Sequence, residues 1–122
     1  MKDVSIIDNF VDDREFRNYI YSLLPKLGFN EVLIEDVRLS DIERINDNDM
    51  IGFKNNMKYT IQTFLNRIIT KKEIEETVLD MKYEKVSFGA IITNKHVDKD
   101  VKTLAFEEGI EIIDRDDLIK VI

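Results

Sequence analysis

The sequence predicts an α/β domain, built on a mixed α+β sheet with helices on both faces. The chain has 122 residues, 43% of them hydrophobic, so one core can form without disulfides or a structural metal. Strand and helix patterns alternate through the second half, which is typical of parallel strands joined by helices. Residues 86–93 are almost uniformly apolar, as expected of a strand covered on both faces. All 122 residues are therefore expected to form one domain.

The first element is an amphipathic helix predicted from Asp12 to Gly28. Asp12 and Glu15 have the spacing of a capping box, and Gly28 stands where a left-handed residue ends a helix. Pro25 removes one amide and should tighten the last turn. The inward stripe comprises Phe16, Tyr19, Ile20, Leu23, Leu24 and Leu27.

A strand is predicted next, followed by a polar connection and a β-hairpin. The strand covers Val32–Val37, the connection Leu39–Asn48, and the hairpin strands Met50–Phe53 and Lys58–Leu65. Asn55 and Asn56 tolerate the positive φ that a tight turn requires. Side chains alternate along the second hairpin strand, with Tyr59, Ile61 and Thr63 on one face and Thr60, Gln62 and Phe64 on the other.

Three helices and two strands complete the pattern. Thr70 and Glu73 form a second capping-box spacing, and Asp114 is the expected cap of the last helix. The aromatic residues Phe16, Tyr19, Phe88 and Phe106 are assigned to the core. The elements are a helix from Thr70 with Ile74, Val78 and Met81 inward, a strand Val86–Thr93, a helix Asp98–Gly109, a strand Ile110–Ile113 and a terminal helix.

Composition excludes several classes of site. The chain contains no cysteine and one histidine, so cysteine-ligated metals, thiolate catalysis and sites with two imidazoles are ruled out. His96 is interpreted as an exposed loop residue rather than a proton-transfer group. No apolar run reaches the length of a membrane span and the N-terminus does not resemble a signal peptide. We therefore expect a cytoplasmic protein without a membrane partner.

Charge is distributed unevenly along the chain. The net charge is -7, which argues against a surface that binds nucleic acid all round. Residues 31–49 hold seven acidic and two basic residues, whereas residues 53–72 hold five basic and no acidic residues. The five are Lys54, Lys58, Arg67, Lys71 and Lys72, and they are the expected phosphate contacts if the protein binds DNA.

Several segments carry a family resemblance over nearly the whole chain from Asp13 onward. They are Glu15-Phe16, Leu23-Leu24, Leu27-Gly28-Phe29, Asp49-Met50-Ile51, Tyr59-Thr60-Ile61-Gln62, Ala90-Ile91-Ile92-Thr93 and residues 105–114. Together with the order of elements, they resemble the Mrr-type restriction endonuclease domain, which has the restriction-endonuclease-like core of the PD-(D/E)xK superfamily. The resemblance implies a nuclease fold, DNA as partner, and a homodimer or a larger restriction or defence assembly.

The resemblance also implies a catalytic site, with Asp49 as the acid and Gln62 on the next strand. Asp47 is the substitute for Asp49 if the register shifts by two residues. In the family an acid and a backbone carbonyl, here Asp49 and the main chain of Thr63, hold Mg²⁺, which polarises the phosphodiester. A lysine two residues after the Gln offsets developing charge.

This chain departs from the family at the lysine position, which holds Phe64. A phenyl ring carries no charge and donates no hydrogen bond to water, so we expect cleavage to be impaired or lost. A cation could instead reach the site from Lys54, Lys58 or Arg67, of which Arg67 is the best placed. Arginine is a poor base but can stabilise charge.

Three functions follow as hypotheses. The first is a degenerate nuclease domain that retains DNA binding or an interaction role. The second is an active Mg²⁺-dependent endonuclease with a rearranged site. The third is a dimerisation or interaction module that does not bind nucleic acid.

Overall fold

The computed structural model describes residues 4–34 and 50–122, which form a mixed five-stranded sheet and four α-helices. The predicted fold class is confirmed. Strands β1 to β3 pair antiparallel, and β3 to β5 pair parallel, in the spatial order β1-β2-β3-β4-β5. The strands are β1 (Asn30–Ile34), β2 (Met50–Lys54), β3 (Met57–Phe64), β4 (Phe88–Thr93) and β5 (Ile110–Ile113), and the helices are α1 (Asp13–Leu23), α2 (Lys71–Glu84), α3 (Lys99–Glu107) and α4 (Arg115–Val121).

Helices cover both faces of the sheet, as predicted. Phe16 and Ile20 of α1 and Leu118 of α4 pack on one face, against Ile61 and Ile92 among others. On the other face, α2 and α3 contribute Ile74, Met81 and Ala105, which pack with Phe64, Ile91 and Ile110. Because side chains alternate along a strand, neighbouring residues of β3 face different helices, and its even-numbered residues face α2.

The first helix ends earlier than predicted. Its N-terminus is as expected, since the side chain of Asp12 accepts a hydrogen bond from the Glu15 amide at 2.9 Å. However, α1 stops at Leu23, and residues 24–27 form a 3-10 turn before Gly28, whose φ is 96°. Pro25 lacks the amide that would continue the α-helical ladder, so the tighter turn replaces the last helical turn.

The predicted hairpin turn is confirmed. Asn55 and Asn56 have φ values of 53° and 64°, the left-handed conformation that asparagine tolerates. The turn joins Lys54 to Met57, which are paired in the ladder between β2 and β3. The turn thus sets the register of β3, and with it the face on which Gln62 and Phe64 lie.

Two expectations about the second half are wrong. Phe106 is 81% exposed rather than buried, because the inward face of α3 is formed by Val101, Leu104 and Ala105, and residue 106 points away from it. Strand β4 begins at Phe88, two residues later than predicted.

The predicted connection Leu39–Asn48 lies outside the described residues. Within residues 4–34 and 50–122, the helices are too short or too polar to cross a bilayer.

Candidate functional site

Gln62 lies on β3 and points into the interface with α2. Its side chain is completely buried. The amide nitrogen donates to Oδ2 of Asp80, and the amide oxygen lies 3.2 Å from the hydroxyl of Thr77. Both ends of the Gln62 amide are therefore bound by side chains of α2, and neither is exposed to solvent.

The partners of Gln62 belong to a buried polar stripe on α2. Glu73, Thr77 and Asp80 follow at i, i+4 and i+7, which places them on one side of the helix. Their exposed fractions are 4%, 0% and 2%. The periodicity of this helix predicts only its apolar stripe, so the polar stripe is not among the sequence predictions. The spacing of these three residues is the signal that could have revealed it.

Phe64 occupies the position at which the resemblance expects lysine. Its ring is 5% exposed and packs in the core between the sheet and α2, with Ile69, Ile74 and Ile91. A buried ammonium at this position would lose its hydration, which is costly. The packing therefore matches an apolar side chain here.

Arg67 lies beside Phe64, as the sequence suggested for a substitute cation. Its guanidinium carbon is 5.1 Å from the centre of the Phe64 ring, a distance at which a cation is attracted to an aromatic face. The guanidinium also contacts the carboxylates of Glu73 at 2.9 Å and Glu76 at 3.8 Å. The charge of Arg67 is therefore balanced by two acidic side chains of α2.

Glu73 is buried at the start of α2 and completes its capping box. Its carboxylate accepts from the backbone amide of Thr70 at 2.7 Å and from the Thr70 hydroxyl at 2.6 Å. Burial alone would raise the pKa of Glu73, but the hydrogen bonds from Thr70 and the charge of Arg67 outweigh it and lower the pKa. Glu73 thus remains an ionised structural partner of Arg67.

The described part of the implied metal site does not fit a hydrated Mg²⁺ ion. Mg²⁺ takes oxygen ligands in octahedral geometry and usually keeps several waters, so it needs an open, polar site. Gln62 and Phe64 instead fill the space between β3 and α2. The main chain of Thr63 lies in the parallel ladder opposite Ile92 of β4. Asp49 and its substitute Asp47 lie outside the described residues.

The five basic residues fall into two groups along β3. Lys54 and Lys58 lie near the hairpin turn, whereas Arg67, Lys71 and Lys72 follow the other end of β3. At about 3.3 Å per residue, the strand between them separates the two groups by roughly 20 Å.

Some of these basic side chains form ion pairs with acidic residues. The ammonium of Lys54 contacts Glu111 at 2.8 Å and lies 5.3 Å from the centre of the Phe29 ring. The exposed Lys71 lies 3.9 Å from Glu75. Arg67 is bound by glutamates as described above. Lys58 and Lys72 are exposed, and the described residues place no acidic partner on them.

His96 belongs to a cluster at the carboxyl ends of β4 and β5. Its Nδ1 is 2.9 Å from Asp116 and 3.7 Å from the buried carboxylate of Asp114. Asp114 also accepts from Lys102 at 3.0 Å and from the amide of Val97 at 3.1 Å. Because the Lys102 ammonium already neutralises Asp114, the cluster is an ion-pair network rather than an open cation site.

The pKa values of this network follow from its hydrogen bonds. Burial alone would raise the pKa of Asp114, but the bonds from Lys102, Val97 and Asp117 lower it. Burial alone would lower the pKa of Lys102, but its hydrogen bond to Asp114 and the nearby acids raise it. Both residues are therefore held in their charged forms.

The fold is similar to that of a solved nuclease structure. The DNA modification-dependent restriction endonuclease AspBHI superposes with a TM-score of 0.68 at 14% sequence identity. The match covers 97% of this chain and 33% of AspBHI, so the chain spans about one third of that protein. At this identity the likeness shows the fold alone.

Comparison with curated proteins gives no match. A family model does match: residues 9–122 fit the restriction endonuclease family Mrr_cat. The match begins before α1 and extends through α4, so it includes every element described above. The resemblance noted in the sequence is confirmed, and the chain belongs to the Mrr_cat restriction endonuclease family.

Proposed function

We propose that this chain is a restriction endonuclease-family domain that has lost phosphodiester cleavage and acts by binding DNA. One observation carries the proposal: Phe64, at the expected lysine position, is buried in a packed core beside a Gln62 whose amide is bound to α2. The side chains that should face a metal and an attacking water instead face a helix.

The proposal follows from what the reaction needs. Phosphodiester hydrolysis requires charge stabilisation at the transferred phosphoryl group and an activated water. Phe64 supplies neither, and Arg67 is neutralised by Glu73 and Glu76. Phe64 and Arg67 thus contribute to stability rather than to catalysis. DNA binding is the part of the family's function that this chain can keep.

DNA binding is assigned to the exposed lysines Lys58, Lys71 and Lys72. Each lies on the surface and is free to approach phosphate, apart from the weak contact of Lys71 with Glu75. Lys54 and Arg67 contribute less, because phosphate must compete with their carboxylate partners. Since Lys71 and Lys72 begin α2, they act next to the positive end of its dipole.

The first test is a nicking assay on supercoiled plasmid, methylated and unmethylated, with Mg²⁺ or Mn²⁺. We expect no cleavage by the wild-type protein and no difference from Asp49→Ala. Metal-dependent nicking that Asp49→Ala abolishes would contradict the proposal. It would establish the alternative, an active endonuclease with a rearranged site.

The second test measures DNA binding by fluorescence anisotropy at several salt concentrations. We expect Lys71→Glu/Lys72→Glu to weaken duplex binding and to reduce the salt slope by about two, because two phosphate contacts are lost. The control Lys26→Glu/Lys99→Glu changes the net charge equally, and we expect a smaller loss. Equal loss in both variants would show that only net charge matters, and absence of wild-type binding would support the interaction-module hypothesis.

A further inference from the structure

A cavity of about 500 Å³ lies beside β5, at the end of the sheet that carries the hairpin turn. This volume is within the range of sites that bind small molecules. The lining comes from four strands and from α3, and it includes three aromatic and three charged side chains. They are Tyr59, Phe88 and Phe106, and Lys54, Lys102 and Glu111. The cavity is separate from Gln62 and Phe64, which lie towards the other end of β3.

The aromatic residues give the cavity an apolar wall. The rings of Tyr59 and Phe88 stack, with their centres 5.4 Å apart. Phe106 comes from α3 and is 81% exposed, although a side chain of this size gains stability from burial. The backbone brings Phe106 near Phe88, because the Gly109 amide donates to the Phe106 carbonyl at 3.0 Å and Gly109 lies beside the Phe88 ring. A planar ligand that stacks here covers the exposed ring of Phe106.

One ion pair supplies hydrogen-bonding groups to the cavity. The Lys54 ammonium contacts both carboxylate oxygens of Glu111, at 2.8 and 3.0 Å. An ammonium has three N–H donors and a carboxylate has about four lone-pair positions, so this contact leaves one donor and further lone pairs for a ligand. The two side chains are 24% and 40% exposed. The pair therefore offers a donor and an acceptor side by side.

The charges around the cavity favour an uncharged ligand. The Lys54 ammonium is bound to Glu111, and the Lys102 ammonium is bound to Asp114 at 3.0 Å. Both lysines that line the cavity are thus engaged by carboxylates, with which a phosphate group would have to compete. Residues 106–117 also hold six acidic residues and one basic residue, and this excess of negative charge repels anions.

We propose that this cavity binds a free, uncharged nucleoside whose base carries an amino group, of which adenosine is the best match. Adenine has an amino donor next to a ring-nitrogen acceptor. Glu111 accepts from the amino group and Lys54 donates to the ring nitrogen, while the purine stacks on the aromatic wall. The site is independent of the proposed DNA contacts, because Lys58, Lys71 and Lys72 are not part of its lining.

Isothermal titration calorimetry with adenosine and inosine tests the chemistry of the ligand. Inosine has a carbonyl group where adenosine has the amino group, so it presents an acceptor to the carboxylate of Glu111. We expect adenosine to bind about tenfold more tightly, because a site built for a donor rejects a ligand that lacks it. Adenosine monophosphate should bind no more tightly than adenosine. Equal binding of adenosine and inosine, or no binding of either at millimolar concentration, would overturn the proposal.

Two variants test the assignment to this cavity. Phe106→Ala removes the exposed ring and should weaken adenosine binding by about tenfold, because a stacking surface is lost. The control is Val11→Ala, since Val11 is 83% exposed and lies outside the cavity, and we expect it to bind as the wild type does. Glu111→Gln should reduce the preference for adenosine over inosine, because an amide can donate as well as accept. Unchanged adenosine binding by Phe106→Ala would contradict the site.

Further measurements separate this site from DNA binding. Lys71→Glu/Lys72→Glu should bind adenosine as the wild type does. A single-stranded deoxyadenosine oligonucleotide serves as the second ligand, and its binding should not depend on Phe106. If the oligonucleotide requires Phe106 while adenosine does not bind, the base comes from a DNA strand and the proposed free ligand is wrong. Because adenosine carries no phosphate, failure here leaves the proposed DNA binding unaffected. Phe106 is exposed, so Phe106→Ala should remain folded, which circular dichroism checks.

Discussion

Gln62 and Phe64 lie on the same face of β3, and each is fixed by α2 in a different way. Gln62 is held by hydrogen bonds to Asp80 and Thr77. Phe64 is held by packing and by the guanidinium of Arg67. A buried amide with satisfied hydrogen bonds costs little, whereas a buried unpaired ammonium costs several kcal/mol. The same face therefore holds Gln62 through hydrogen bonds and Phe64 through apolar packing.

Replacing Phe64 by lysine tests this argument at a single residue. We expect Phe64→Lys to lower the free energy of unfolding by about 3–5 kcal/mol, because the ring is lost and a charge is buried. Urea denaturation measures the change. Phe64→Leu keeps an apolar side chain and should cost about 1–2 kcal/mol.

Restored catalysis would contradict the interpretation of Phe64. If Phe64→Lys were as stable as the wild type and nicked plasmid with Mg²⁺, the pocket would be able to open and to accept the catalytic lysine. If it unfolds, the less disruptive Phe64→Leu still reports whether the site is packed. A Phe64→Leu variant with unchanged stability would show that this ring is not part of the core.

The elements follow local rules that the sequence displays. Thr70 and Glu73 form the predicted capping box at the start of α2, and Asp114 forms another at the start of α4. The alternation predicted for β3 is confirmed, because the period of a strand is fixed by backbone geometry. The end of α2 is less predictable, since Lys85 takes the left-handed conformation, with φ 58°, that glycine usually supplies.

The capping box of α2 also positions the polar stripe beneath Gln62. We expect Thr70→Ala to lower the free energy of unfolding by about 1 kcal/mol, because the Thr70 hydroxyl binds both the Lys72 amide and Glu73. Thr103→Ala is the control, since this threonine lies on the exposed side of α3 and should change stability by less than about 0.5 kcal/mol. Equal effects in urea denaturation would contradict a specific role for the cap.

On the scale of the whole molecule, Asp114 joins three parts of the fold. Its buried carboxylate binds Lys102 of α3 and the Val97 amide after β4, and it caps α4 through the amides of Asp116 and Asp117. The charge of Asp114 therefore stabilises the packing at the carboxyl end of the sheet. Its folded-state pKa is depressed, so protonation favours the unfolded chain.

This linkage predicts how stability depends on pH. The contribution of Asp114 is fully present above the unfolded-state pKa of about 3.9 and is lost as the pH falls through the lower folded-state pKa. Glu73 acts in the same direction. Urea denaturation from pH 7 to pH 3 should show decreasing stability in acid. Asp114→Asn should be less stable at pH 7 and lose less on acidification, and a variant with the wild-type profile would contradict this role.

The sequence by itself determined the fold class, the order of elements, the helix caps, the hairpin turn and the family, because periodicity and turn chemistry are local properties of the chain. It also identified Phe64 as the departure from the family pattern. Only the tertiary structure decided what surrounds that residue, since burial and ion pairing depend on which elements pack together. Thr77 and Asp80 meet Gln62 only because α2 lies across β3, and Lys54 meets Glu111 across 57 residues of sequence. The basic residues of the segment 53–72 therefore lie in two groups at opposite ends of β3. Some of them are paired with acidic residues that no local sequence pattern could have indicated.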